Sequence, residues 1–196
     1  SDETIAEACR AELAALQAGD AERYALWERF VAISRSDAEE IYARLNVDFD
    51  TWHGESFYHD RLAGVVTRLE DDGIARESEG ALVVFFEDVK GLEEKPFLVR
   101  KSDGAYLYST TDIATLLYRD QEYSPDRVIY VVDVRQSLHF KQLFATAERL
   151  DLKFGLEHVG FGMMLGADGR PFRTRDGGTV SLASLLDEAE ERILQV

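Results

Sequence analysis

Three groups of residues have types and spacings that could do chemistry. In "VVDVRQSLHFKQ" the polar residues Asp133, Arg135, Gln136 and His139 cluster where an apolar run ends and a helical pattern begins. In a parallel sheet that edge faces the ligand crevice, although turn residues and a helix cap would produce the same cluster. In "YLYSTTD", Tyr108 and Asp112 could reach one crevice from a strand end and a helix start. An Asp there most often compensates the helix dipole. The sharper reading is an anionic site beside a phenol, suited to a guanidinium or ammonium ligand, because guanidinium presents five donors in a fixed fork. The third group, "FGMMLGADGRPFRTRDGGTV", sets Arg170, Arg173 and Arg175 after an apolar strand end and before Gly177 and Gly178, as a mobile cationic loop would.

Other chemistries find no support. His53, His59, His139 and His158 are not at metal-ligand spacings, and Cys9 is the sole cysteine, so the reading includes no metal. That single cysteine also rules out an internal disulfide and fits a reducing compartment, with the cytoplasm as default. Neither a phosphate-binding G-x-x-x-x-G-K-[ST] nor a nucleophile-elbow G-x-S-x-G occurs. No apolar run approaches the ~18 residues of a membrane span. The net charge of −16 gives no general attraction for phosphate backbones. The imbalance is steepest at the start, where residues 1–60 hold 5 Lys+Arg against 14 Asp+Glu.

The elements that must position these residues can be read from periodicity. Residues 3–18 form one amphipathic helix, and Gly19-Asp20 stops it and caps a second that reaches Leu45, with a possible break near Ser34. "NVDFDTW" alternates as a short strand, and "GESFYHDRLAGVVTRLEDDG" reads as a helix ending at Gly73. "GALVVFF" and "PFLVRKSDGAYLYST" read as strands, with "KSDG" as a hairpin turn inside the second. A helix capped by Thr110 or Thr111 follows, with Asp112 in its first turn. "RVIYVVDV" has the β-branched run of a strand buried on both faces. A helix over 137–151, a strand over 156–165 and a last helix from about Ser181 complete a βαβ pattern, which predicts an α/β fold with a parallel sheet.

Taken in order, "YARLNVDFDTWHGESFY", "ESEGALVVFFEDVKG", "DGAYLYSTTDIATLLYRD", "RVIYVVDVRQSLHFKQLF" and "FGMMLGADGRPFRTRDGGTVSLASLLDEAEER" closely resemble arginyl-tRNA synthetase, a class I aminoacyl-tRNA synthetase. The resemblance is good over about residues 36–196 and less distinctive over the N-terminal helices. It implies an acidic helical segment at 1–46, a connective insertion at 47–105, and the second half of a Rossmann-like catalytic domain at 106–196. It also implies an ATP-dependent ligase that activates L-arginine as its adenylate and transfers it to the cognate tRNA. Mg²⁺ would accompany the ATP, with no tightly bound cofactor and no membrane partner.

By the same resemblance, Tyr108, Asp112 and Gln136 match the arginine side-chain pocket. His139 and Gln142 match a segment near the adenosine, and Gly162, Met163 and Met164 match a strand whose backbone borders the adenine. Core packing accounts equally well for both methionines. "PFRTR" stands where class I enzymes carry Lys-Met-Ser-Lys-Ser, and without a lysine there Arg173 and Arg175 are the cationic substitutes at the ATP phosphates, where charge develops on the leaving pyrophosphate. No His-x-Gly-His tetrad is present, and the only methionines are Met163 and Met164. A fragment of a longer enzyme, inactive alone, is therefore expected. The alternative is a truncated paralogue that binds arginine or a nucleotide without chemistry.

Overall fold

The structure is a computed structural model that describes residues 2–162 and 181–195. Contacts divide it into two compact units, one built from the chain up to Thr51 with the C-terminal helix, the other beginning at Trp52.

The first unit is helical. Helix α1 (Asp2–Gln17) and α2 (Ala21–Arg44) are separated at Gly19, whose φ of 84° stops one helix, and at Asp20, whose side chain accepts from the Arg23 N–H. No break occurs near Ser34, and α2 runs uninterrupted for 24 residues. "NVDFDTW" is not a strand. The chain turns at Asn46 (φ 53°), and the Val47 N–H donates to the Tyr42 carbonyl at the end of α2 instead of to a strand. The C-terminal helix, α6 (Leu182–Leu194), starts at Ser181 as predicted, with the Ser181 hydroxyl capping the Ser184 N–H.

In the second unit, the segment predicted as one helix divides into a 3₁₀ stretch (Glu55–Arg61) and α3 (Leu62–Asp71), and Gly73 at φ 66° ends it. Strand β1 (Ala75–Ser78) was not legible in sequence, because "ARES" carries no apolar alternation. It pairs antiparallel with β2 (Ala81–Val84) through a two-residue turn, Glu79-Gly80, both at positive φ. β2 pairs in turn with β3 (Phe97–Arg100). The predicted turn at "KSDG" is present, with Lys101 and Ala105 bonded across it.

Beyond that turn the predicted strand fails. Only an isolated bridge, Arg100 to Tyr106, remains, and α4 (Tyr108–Tyr123) begins two residues before Thr110 and three before Thr111, the expected caps. The cause is visible in its first turn. The Ser109 hydroxyl donates to the Leu98 carbonyl at 2.5 Å and the Thr110 hydroxyl to that of Val99, which moors the helix start against β3.

The parallel pair is as expected. β4 (Arg127–Asp133) and β5 (Gly155–Phe161) align in register from Arg127–Gly155 to Asp133–Phe161, joined through a 3₁₀ turn (Val134–Gln136) and α5 (Ser137–Arg149). β4 is not buried on both faces. Val128, Tyr130 and Val132 face the core, while Ile129 and Val131 are 49% and 65% exposed. One core runs from α3 through β2, β3, α4 and α5, with Leu69, Leu82, Phe86, Leu116 and Leu143 fully enclosed.

Candidate functional site

The C-terminal end of β4 opens into a cavity of about 710 Å³, walled by the first turns of α4, the turn after β4 and the start of α5. Its position follows from the parallel sheet: strand carboxyl ends and helix starts converge on one edge, as in other open α/β sheets.

Tyr108 and Asp112 reach the cavity together because both lie on α4, four residues apart and therefore on one face. The earlier start of α4 puts Asp112 in the second helical turn, so compensating the dipole of the first turn does not account for it. Tyr108 is 62% exposed. Gln136, at the end of the 3₁₀ turn, lines the same cavity.

His139 enters from the first turn of α5. Its Nε2 lies 2.6 Å from Asp112 Oδ2, although 27 residues separate the two in sequence. The ring is packed against Tyr108 (4.8 Å between centroids), Phe97 (5.3 Å) and Phe140 (5.3 Å), and the residue is only 8% exposed. Gln142, one turn on, donates its amide to the Lys95 and Pro96 carbonyls at 2.9 and 3.1 Å while also lining the cavity. Gly162 is described, exposed and open around its Cα. Met163, Met164, Arg170, Arg173, Arg175, Gly177 and Gly178 lie outside the described residues.

The charges at the cavity divide into spent and unspent. Arg135 closes a fork on Asp133, with Nε to Oδ1 at 3.0 Å and Nη2 to Oδ2 at 2.9 Å. That pairing holds the Asp133 carboxyl below its ordinary range and raises the Arg135 guanidinium. Asp112 and Glu55, by contrast, have no guanidinium or ammonium partner among the described residues. A concave site whose free charges are carboxylates, edged by a phenol and an amide, is built for a cation with several donors. No group of three or more His, Cys, Asp or Glu side chains that could hold a metal occurs among the described residues.

Tyr130 and Glu55 are among the cavity residues that sequence reasoning missed. Tyr130 projects from β4 with its hydroxyl enclosed and without a hydrogen-bond partner among the described residues, and burial pushes that phenol up to about 12. The alternation of Val128, Tyr130 and Val132 on one face could have revealed it, had the run not been read as buried on both faces. Glu55 had no signal, since only packing brings the 3₁₀ stretch to the cavity.

Comparisons with known proteins agree with this fold. The family model described as tRNA synthetases class I (R), catalytic domain, matches residues 1–196. An arginine–tRNA ligase of Azotobacter vinelandii is 50% identical over 97% of this chain and 34% of its own length, and one of Rhodopirellula baltica is 50% identical over 94% and 27%. The chain thus spans about a third of the length of the curated relatives it matches. The crystal structure of arginyl-tRNA synthetase from Plasmodium falciparum superposes with a TM-score of 0.78 at 29% identity, over 94% of this chain and 31% of that one. A putative arginyl-tRNA synthetase from Campylobacter jejuni has the same fold, with a TM-score of 0.60 at 21% identity over 76% of this chain and 32% of its own. A family model that matches the whole chain, and a fold and a sequence that match nearly all of it, carry one conclusion: this chain belongs to the family of class I tRNA synthetase (R) catalytic domains.

Proposed function

We propose that this chain carries the amino-acid pocket of an arginine–tRNA ligase, and that the cavity at the end of β4 receives the side chain of L-arginine. The observation that carries the reading is the unneutralised carboxylate of Asp112, held in that cavity beside Tyr108 and Gln136. Asp112 supplies the charge-assisted acceptor, and Tyr108 and Gln136 fix the plane of the guanidinium. L-Lysine, a point charge with three rotatable donors, fits such a plane poorly.

In the ligase reaction the arginine carboxylate attacks the α-phosphorus of ATP, the α–β phosphoanhydride bond breaks, and pyrophosphate leaves; Mg²⁺ brought with the ATP would offset the charge of its phosphates. A hydroxyl of the terminal ribose of the cognate tRNA then takes the acyl group from the adenylate, and AMP leaves. Gly162, Met163 and Met164 would border the adenine, with Arg173 and Arg175 facing the leaving phosphates. The residues at 1–46, 47–105 and 106–196 correspond in this reading to a helical segment, a connective insertion and the second half of the catalytic fold. The process belongs to translation and hence to the cytoplasm. No helix among the described residues is long and apolar enough to cross a membrane.

The test is titration of the isotope-labelled chain with L-arginine, followed by NMR, with L-lysine as competitor and Asp112→Ala as control. Arginine-selective shifts at Tyr108, Asp112 and Gln136 that vanish in the variant are expected. Equal shifts with lysine, or shifts that survive the substitution, would sink the assignment.

A further inference from the structure

His139 is a buried polar ring in an aromatic setting. Tyr108, Phe97 and Phe140 surround it, and an apolar ring would fill the same space without the cost of desolvating two nitrogens. Among the described residues its ring makes one hydrogen bond, to Asp112 at 2.6 Å. Its other nitrogen, Nδ1, is enclosed and has no partner among them. Those facts together restrict the ring. A carboxylate only accepts, so the proton that bridges to Oδ2 sits on Nε2. A second proton, on Nδ1, would be a buried donor with nothing to receive it.

We infer that His139 is a positioning residue, a neutral Nε2–H donor that fixes the Asp112 carboxylate for a guanidinium without neutralising its charge. The inference rests on the pocket reading above and assigns His139 to the arginine side of the site instead of the adenosine side. The consequence is geometric. One oxygen of Asp112 is tied down, the side chain is one-third exposed toward the cavity, and its carboxylate makes no other hydrogen bond among the described residues. The carboxylate plane is therefore set before the ligand arrives, which lowers the ordering cost of a two-pronged guanidinium contact far more than that of a point-charge ammonium. A cationic residue at position 139 would compete with the ligand, and an apolar one would leave Asp112 free to rotate.

Two measurements test it. Long-range proton–nitrogen correlation on the labelled wild-type chain reads the tautomer directly: Nε2 protonated and Nδ1 bare is expected, and a proton on Nδ1 overturns the inference. Arginine affinity is then measured for His139→Leu and His139→Gln, the latter returning an N–H donor near the Nε2 position. The leucine variant should bind L-arginine about tenfold more weakly, the glutamine variant within about threefold of wild type. Adding His139→Leu to Asp112→Ala should cost nothing further, because the histidine acts through the carboxylate. If the leucine variant binds as wild type does while Asp112→Ala fails, the inference falls and the pocket reading stands. If the folded glutamine variant is as weak as the leucine variant, the histidine is not acting as a donor and the inference falls as well. A wild-type chain indifferent to L-arginine overturns both.

Discussion

The two units of this chain are held together in opposite ways. The helical unit is laced by ion pairs: Arg23 binds Glu12 and Asp20, and Arg44 binds Asp187 and Glu190 at 2.8 and 3.1 Å. Neither α2 nor α6 has a single buried residue, and Leu13 and Phe30 are more than half exposed. The unit beginning at Trp52 is held by an apolar core closed around Leu69, Leu82, Phe86 and Leu116. Exposed ion pairs contribute little to stability, whereas enclosed apolar side chains carry most of it. The difference shows why the cavity is where it is. A site needs walls that stay put, and α4, α5 and β4 are all packed on that core.

The largest effect should come from opening the core. Phe86→Ala, at a residue with no exposure, is expected to cost about 3–5 kcal/mol in urea denaturation, against less than about 0.5 kcal/mol for Phe30→Ala in α2. Similar losses at the two positions would break the contrast between the units. Next in size is the charge in the cavity. Asp112→Ala should weaken L-arginine binding by about tenfold to a hundredfold, as removal of a charged acceptor does. Arg44→Ala, whose guanidinium is committed to Asp187 and Glu190, should leave that affinity unchanged by isothermal titration calorimetry.

Third, Gly160→Ala should destabilise by about 1–3 kcal/mol in thermal melts. A Cβ there would meet the stiff Val134 side chain at 2.7 Å, where β5 passes the turn that carries Gln136. The smallest effect belongs to Tyr130. Its enclosed phenol titrates near 12 in the folded chain, above the ordinary value of about 10. Its contribution to stability is therefore complete below about pH 10 and is lost as pH rises from 10 to 12. Tyr130→Phe should be near neutral at pH 7 and should outlast the wild type above pH 10 in alkaline unfolding followed by circular dichroism. Parallel curves for the two proteins across that range would count against the enclosed phenol.

What a local pattern can report, the sequence reported. The stop at Gly19-Asp20, the turn at "KSDG", the cap at Ser181 and the parallel β4–α5–β5 unit all depend on neighbours within a few residues or on a strong period. Tyr108, Asp112 and Gln136 were legible as candidates for the same reason: their types and the expected sheet edge were enough to bring them to one crevice.

Tertiary structure decided the rest, wherever a residue's partner lay far along the chain. "YLYST" alternates like a strand, yet Ser109 and Thr110 find the carbonyls of β3 and the helix begins early. "NVDFDTW" also alternates, but pairs with no strand among the described residues and turns back on α2. The β4 run is uniformly apolar, and packing alone settled that one of its faces stays exposed. The bond between Asp112 and His139 spans 27 residues that no periodicity links. Residue type determined which side chains could bind a guanidinium. Only the packing of α4 against α5 set the carboxylate beside the ring that orients it, because that contact depends on where two helices meet and not on what either one spells.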